Sequence, residues 1–429
     1  MAAAIETESP SPKIYIPEEW SNAAEAIACS LVASPIAFVC GPKNSGKTTF
    51  SRHLVNVLLQ RHKKVAYLDT DVGQTEFTPP GLLSLTVIDK ITPVLLITSF
   101  FLFVFRFDDT VLEKHLRVYG YMGFGYDGYC LLFPLKKIYW SNQWSEILLN
   151  YLLLEFSFQM LFFGDISSKR DPTTYLAYIS ALYDHYLKEY RSNSKTENQD
   201  STAMPLVINT PGWVKGIGYE ILVNMLNYMS PTHVLKIRIS AEKKNLPAGA
   251  FWSNDENTDN VTVIEISAAL QDYLKRSVLV QKDARLLRDL RVMAYFRQCF
   301  PSDKTISTIK ELAHALAAHP PYEVPISSIK IKHLHCQVPE TETFYSLNVT
   351  IVGLGVGSFS EQLPQCVGLG IVRGIDTFRG VIYVITPVPQ QILEDVDLLL
   401  QGFIQIPTSL LQVQGCVSPY MSANVISIN

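Results

Sequence analysis

The sequence has little clustered cysteine, no excess of positive charge and no apolar run long enough to cross a membrane. Its seven cysteines, Cys29, Cys40, Cys130, Cys299, Cys336, Cys366 and Cys416, include no C-x-x-C pair. Neither a zinc site nor a disulfide framework is signalled, and a reducing, intracellular compartment is expected. The formal net charge of −4 excludes a generally basic coat, so contact with nucleic acid has to come from local patches. The first residues lack a basic region followed by an apolar core, so no secretory signal is read. The densest apolar runs, 99–105 and 148–154, fall well short of the ~20 residues of a membrane span. No N-K-x-D motif is present, which counts against guanine recognition.

What remains is a chain of 429 residues, 48% hydrophobic and 18% charged, enough for a sizeable core and two or three domains. It is organised around Gly41, Pro42, Lys43, Asn44, Ser45, Gly46, Lys47, Thr48 and Thr49, a G-x-x-x-x-G-K-[ST] motif. An apolar run, 36–40, precedes it and a helix-like run, 50–59, follows, which is the strand–loop–helix context a P-loop requires. Gly41 and Gly46 admit backbone conformations closed to other residues. The loop amides and the positive helix end can then face phosphates. Lys47 offsets β/γ charge and the Thr48 hydroxyl can ligate Mg²⁺. The bland alternative, a glycine-rich turn that happens to hold a lysine, explains neither the spacing nor the context.

Residues 65–69 read as a short buried strand ending in acid. Asp71 and Gln74 follow in a Gly/Pro-rich turn. A carboxylate there can accept a hydroxyl proton, and an amide can orient a substrate or water. Further strands are expected near 161–165, 205–210, 233–237 and 261–266, with helices over 173–190 and from 218 to about 230. Asp171 and Pro172 suit the N-cap and first turn of the first of these. Strands alternating with helices predict an α/β fold: a P-loop, doubly wound, mostly parallel sheet with helices on both faces. Gly41, Asp71, Asp165 and Thr210 then fall at the carboxyl ends of strands, where such sheets bind ligands.

A helix is expected around 278–297, with Arg285, Arg288 and Arg291 at three-residue spacing. Guanidinium groups of this kind can clamp phosphates, although a solvated basic face gives the same pattern. From about residue 302 the character changes, and a smaller, mostly β C-terminal domain is predicted, with a hairpin over 367–376 and 380–389. His333 and His335 form a lone H-x-H on a strand, more often surface or core histidines than metal ligands. The division expected is a tail and short helix over 1–34, the P-loop domain over 35–300 and the β domain over 301–429. An atypical aromatic-rich segment at about 94–160 interrupts the middle unit.

Residues 41–49, 67–74, 163–167, 209–218 and 373–376 together resemble the polynucleotide 5′-hydroxyl-kinase family, and most closely its nucleolar pre-rRNA-processing branch. The kinase subunit of the mRNA 3′-end cleavage factor looks like a cousin. The resemblance implies transfer of the ATP γ-phosphate to the 5′-hydroxyl of RNA or DNA, with ATP and Mg²⁺ as cofactors. It implies a nuclear, nucleolar location and an endonuclease partner in pre-rRNA processing, while the short apolar runs argue against a membrane. Residues 41–49 would hold ATP, Asp71 would activate the hydroxyl with Gln74 beside it, and Trp213 would stack on the terminal base. The family's arginine-rich lid maps onto Arg285, Arg288 and Arg291, with Arg288 and Arg291 toward catalysis and Arg285 toward the polynucleotide. The family's T-x-N substrate clasp has no clear counterpart at 167–171, and larger relatives carry a domain ahead of the P-loop that has almost no counterpart here. The 94–160 segment has no likeness to the family. A lineage-specific insertion is one reading of it, and translation through an unspliced intron is the preferred one. Two other functions compete: a nucleotide switch, since residues 209–212 resemble a GTPase switch turn, and a non-catalytic scaffold with ATP as a structural ligand.

Overall fold

The structure is a computed structural model that describes residues 16–91 except 33, 158–192, 203–252, 261–269, 284–357 except 302–303, and 363–411. The interrupting segment therefore lies almost entirely outside the described residues.

The first sheet contains β1 (Ile36–Cys40), β2 (Val65–Asp69), β3 (Leu82–Ile88), β4 (Phe158–Phe162), β5 (Leu206–Asn209), β6 (His233–Arg238) and β7 (Thr262–Ser267), in the order β4-β3-β2-β5-β1-β6-β7. Neighbours among β2, β5, β1, β6 and β7 are parallel, while β3 runs antiparallel to both β2 and β4. β1 and β2 are buried at every position. Alternate side chains serve opposite faces, as the two-residue period of a strand requires. Ile36, Phe38 and Cys40 join the core under α3 (Pro172–Tyr186) and α4 (Ile217–Met229). Ala37 and Val39 join the one under α1 (Glu18–Ala28) and α2 (Lys47–Leu58). A strand covered on both faces needs a continuous apolar run, which 36–40 supplies. Asp171 accepts from the Thr174 amide at 3.0 Å and Pro172 opens α3, so the cap read from the sequence is formed.

The second sheet is smaller, with β8 (Tyr322–Pro325), β9 (Lys330–His333), β10 (Ile351–Val356), β11 (Gln365–Asp376), β12 (Val381–Ile385) and β13 (Leu398–Gln401). Its order is β8-β12-β11-β10-β13-β9, antiparallel except for the β13–β9 pair. β11 and β12 form the expected hairpin. This sheet shares a core with the first: Leu82 and Phe162 pack in one cluster with Ile351, Leu369, Leu400 and Ile404. The same cluster takes in α5 (Ala284–Arg297) and α6 (Ile309–Ala318). The Phe162 ring occupies the space where a Cβ on Gly353 would stand, 2.6 Å away.

The strands that flank the interrupting segment, β3 and β4, are antiparallel neighbours, with Leu82 opposite Phe162 and Thr86 opposite Phe158, so no crossover of the sheet is needed between them. The strand ends on either side of the segment are therefore adjacent. Those ends lie at the sheet edge opposite the P-loop, because Ile88 pairs with Val65 at the start of β2.

Candidate active site

The P-loop forms at the carboxyl end of β1. Gly46 precedes α2 at φ +94°, in the left-handed region. A side chain on Gly46 would also strike the Trp20 ring at 2.6 Å, so α1 braces the loop from behind. Trp20 is fixed in turn by its indole N–H, which donates to Ser267 O at 2.7 Å. No side chain caps the N-terminus of α2, which leaves its first amides available for phosphate oxygens. Lys47 is buried and donates from Nζ to Pro42 O at 2.8 Å. Burial pulls its ammonium down to about 8, against an opposing pull from Asp71. A polyanion bound in the loop would restore its charged form.

β2 delivers a second group to the same edge. Asp69 is fully buried, its Oδ1 accepting from the Asp71 amide and from Asn209 Nδ2, both at 3.2 Å. Its Oδ2 accepts from the Glu76 amide at 2.6 Å. Burial pushes the Asp69 carboxyl up to about 7 even though these donors pull it down. Asn209 Nδ2 also approaches Thr48 Oγ1 at 3.5 Å, so Thr48, Asp69 and Asn209 converge beside Lys47. Asn209 Oδ1 and Ser45 Oγ are buried with no hydrogen-bond partner. Orphaned oxygens at the mouth of a phosphate loop fit a bound nucleotide and its cation. Among the described residues no cluster of three metal-ligating side chains occurs, histidines included.

Asp71 turns back on its own loop. Its Oδ1 accepts from the Gly73 and Gln74 amides at 3.1 and 3.0 Å. These bonds leave Oδ2 as the oxygen available to take a proton. Tyr175 donates from its hydroxyl to Thr70 O at 2.6 Å, pinning the strand end from α3. Trp213 packs edge-on against Tyr175, ring centroids 5.5 Å apart. Its ring fills the space over Gly218, where a Cβ would lie 2.6 Å from Cγ. The indole thus packs on the tyrosine that bonds Thr70, the residue before Asp71, and is half-buried.

The arginines of α5 divide. Arg285 is exposed and 4.0 Å from Asp289, and Arg288 is half-buried. Arg291 points inward, its Nε and Nη1 shielded from solvent without a hydrogen bond. Burial lowers its guanidinium below the usual arginine range, while Glu76, Asp69 and Asp71 pull it back up. Arg291 is thus coupled electrostatically to the acid cluster. Glu76, which sequence reasoning passed over, is buried and stands 3.2 Å from Arg52 Nε of α2. Asp69 and Asn209 were also missed as site residues. The one signal for Asp69 was its place at the end of the strand after the P-loop helix. Gly41, Asp71, Asp165 and Thr210 do lie at the strand ends on this one edge. His333 bonds Ser346 Oγ at 3.0 Å and His335 bonds Phe163 O at 2.6 Å, so both serve the fold.

A mostly parallel sheet, a glycine-bounded loop around a buried lysine and a paired acid motif at the same edge define a P-loop nucleotide-binding protein. The family model for the mRNA cleavage and polyadenylation factor CLP1 P-loop matches residues 41–119 and 147–298, and that for the NOL9-like C-terminal domain matches 317–407. The chain is 53% identical over 414 residues to polynucleotide 5′-hydroxyl-kinase NOL9 of Arabidopsis thaliana, covering 96% of this chain and 97% of that one. It is 30% and 26% identical to the Danio rerio and Homo sapiens proteins of the same name, covering 91% and 93% of this chain. It spans about half of those two relatives, 49% and 54%. A solved Clp1p–Pcf11p complex matches with a TM-score of 0.56 at 15% identity, over 90% of this chain and 78% of that one, a likeness of fold alone. The chain belongs to the NOL9 polynucleotide 5′-hydroxyl-kinase family. The CLP1 family model resumes at 147 after stopping at 119, so it reaches further into the interrupting segment than the sequence reading expected.

Proposed function

We propose that this chain transfers the γ-phosphate of ATP to the 5′-hydroxyl end of a polynucleotide, RNA first, in pre-rRNA processing. The observation that carries the reading is the joint placement of buried Lys47, Thr48 and the Asp69–Asp71 pair at one sheet edge. Residues 41–49 cradle the phosphates. Thr48 and Asp69 would hold Mg²⁺, which supplies charge neutralisation at the transferring phosphate when bound. Asp71 Oδ2 accepts the proton of the attacking hydroxyl, Gln74 orients the substrate, and Trp213 stacks on the terminal base. Arg291 holds positive charge against the acid cluster, with Arg288 and Arg285 further out toward the donor and the polynucleotide. The NOL9 name of the relatives supports a nuclear, nucleolar location, and the resemblance to the pre-rRNA-processing branch is what supports an endonuclease partner. One assay tests the reading: γ-labelled ATP with a 5′-hydroxyl oligonucleotide. A kinase labels the oligonucleotide, a nucleotide switch releases free phosphate, and a scaffold does neither.

Trp213→Ala should raise the KM for the oligonucleotide about 5- to 150-fold, the loss of one base–aromatic stack, and leave the KM for ATP within twofold. Steady-state kinetics with each substrate varied in turn checks this. Equal effects on both would assign Trp213 to holding Tyr175 and Gly218.

Replacing residues 120–146, which the P-loop family model leaves unmatched, by a short polar turn should give a more soluble protein that is at least as active. The motive is that β3 and β4 are already paired neighbours at the edge remote from the P-loop. Loss of cooperative unfolding or of phosphate transfer would make the segment an integral element.

A further inference from the structure

The second sheet contributes side chains to the rim of this site. Phe403, in the loop after β13, is 42% exposed, and Arg170, in the loop after β4, lies with Cζ 4.4 Å from the centroid of its ring. The two loops are locked together: Phe403 N–H donates to Gly164 O at 2.6 Å. A Cβ on Gly402 would fall 2.5 Å from Gly164 Cα, so only two glycines allow this approach. On the buried side, the His335 ring lies nearly parallel to Phe403, at 19° and 6.3 Å between centroids. His335 is held in place by Phe163 O at 2.6 Å and faces Asp171 at 3.6 Å. Arg170 is held by Asp165, Nε to Oδ2 at 2.6 Å, yet its side chain stays 55% exposed. The result is a layered set, His335, Phe403 and Arg170, whose outermost side chain is exposed.

The set adjoins the acid motif. Ile166, two residues past Gly164 and 44% exposed, has its carbonyl where a Cβ on Gly73 would sit, 2.7 Å away. Gly73 is part of the turn that holds Asp71. Asp165 and Asp171 offset the positive charge of the set, so an isolated phosphate is a poor occupant. What remains on offer is a flat cationic face, and guanidinium planes stack nucleobases.

We propose that Arg170, backed by Phe403 and His335, is a base-stacking subsite for a nucleotide beyond the terminal one. The C-terminal domain thereby takes part in gripping the polynucleotide. The inference rests on the kinase reading for its substrate, and the test separates the two. The probes are 5′-hydroxyl oligonucleotides of ten nucleotides, intact or with one abasic position moved along the first five. The variants are Arg170→Lys, which keeps the charge and loses the plane, and Phe403→Leu, which keeps apolar packing and loses the ring. KM for transfer and Kd by fluorescence anisotropy are measured together, with melting temperature as a check on folding.

Removal of one stack is expected to raise KM and Kd for the intact oligonucleotide about 5- to 150-fold, leaving the KM for ATP within twofold. In the wild type one internal abasic position should cost the same factor, and in either variant that position should lose its effect. Unchanged KM and Kd in both variants, or an abasic penalty that survives them, overturns the subsite. If the wild-type protein shows the abasic effect in binding but labels no oligonucleotide, the kinase reading fails and the subsite stands.

Discussion

Lys47→Ala should reduce phosphate transfer to a 5′-hydroxyl end by at least about 10²–10³-fold, the range for removing a preorganised charge aimed at a transition state. The ammonium sits inside the loop, bonded to Pro42 O at 2.8 Å, and burial has already drawn it down to about 8. It is therefore poised to change partner: the phosphates replace a neutral carbonyl, and their charge restores its full protonation. In a water-poor pocket that interaction strengthens as charge develops on the transferring group. Lys47→Met is the companion variant, because it keeps the aliphatic stem among the buried residues of α2. Both should melt within a few degrees of the wild type. Transfer close to wild type in the methionine variant would sink the kinase reading.

Asp71→Asn should slow the chemical step about 10²–10⁴-fold, the usual contribution of a positioned general base. The geometry makes this a clean substitution. Oδ1 accepts from the Gly73 and Gln74 amides, and an asparagine oxygen can accept both. The turn is then preserved while the group that takes the proton becomes an amide. ATP affinity should change little, because the loop of residues 41–49 carries that binding. Single-turnover kinetics beside a nucleotide-binding titration distinguishes the outcomes. If ATP affinity collapses while single-turnover chemistry survives, Asp71 is a binding residue and the base assignment is wrong.

The sequence by itself determined the P-loop, the strand-ending acid motif, the α3 cap and the alternation that makes the first sheet. Each is a local matter. Glycine freedom, a cap three residues from its amide and an apolar strand of five residues are decided within one turn or one strand. The family-bearing motifs were legible for the same reason. Only the tertiary structure decided that Asp69 and Asn209 share a hydrogen bond across 140 residues, or that His335 anchors on Phe163 across 172. It alone sent Arg291 inward while Arg285 stayed in solvent, since three-residue spacing does not say which face of α5 the core will cover. It alone turned β3 antiparallel, placing the ends of the interrupting segment side by side and far from the P-loop. The meeting of the two sheets rests on their burying Phe162, Leu82 and Leu400 in one core. Local spacing carries no record of that packing, because the residues that meet there are brought together only when their apolar faces leave water.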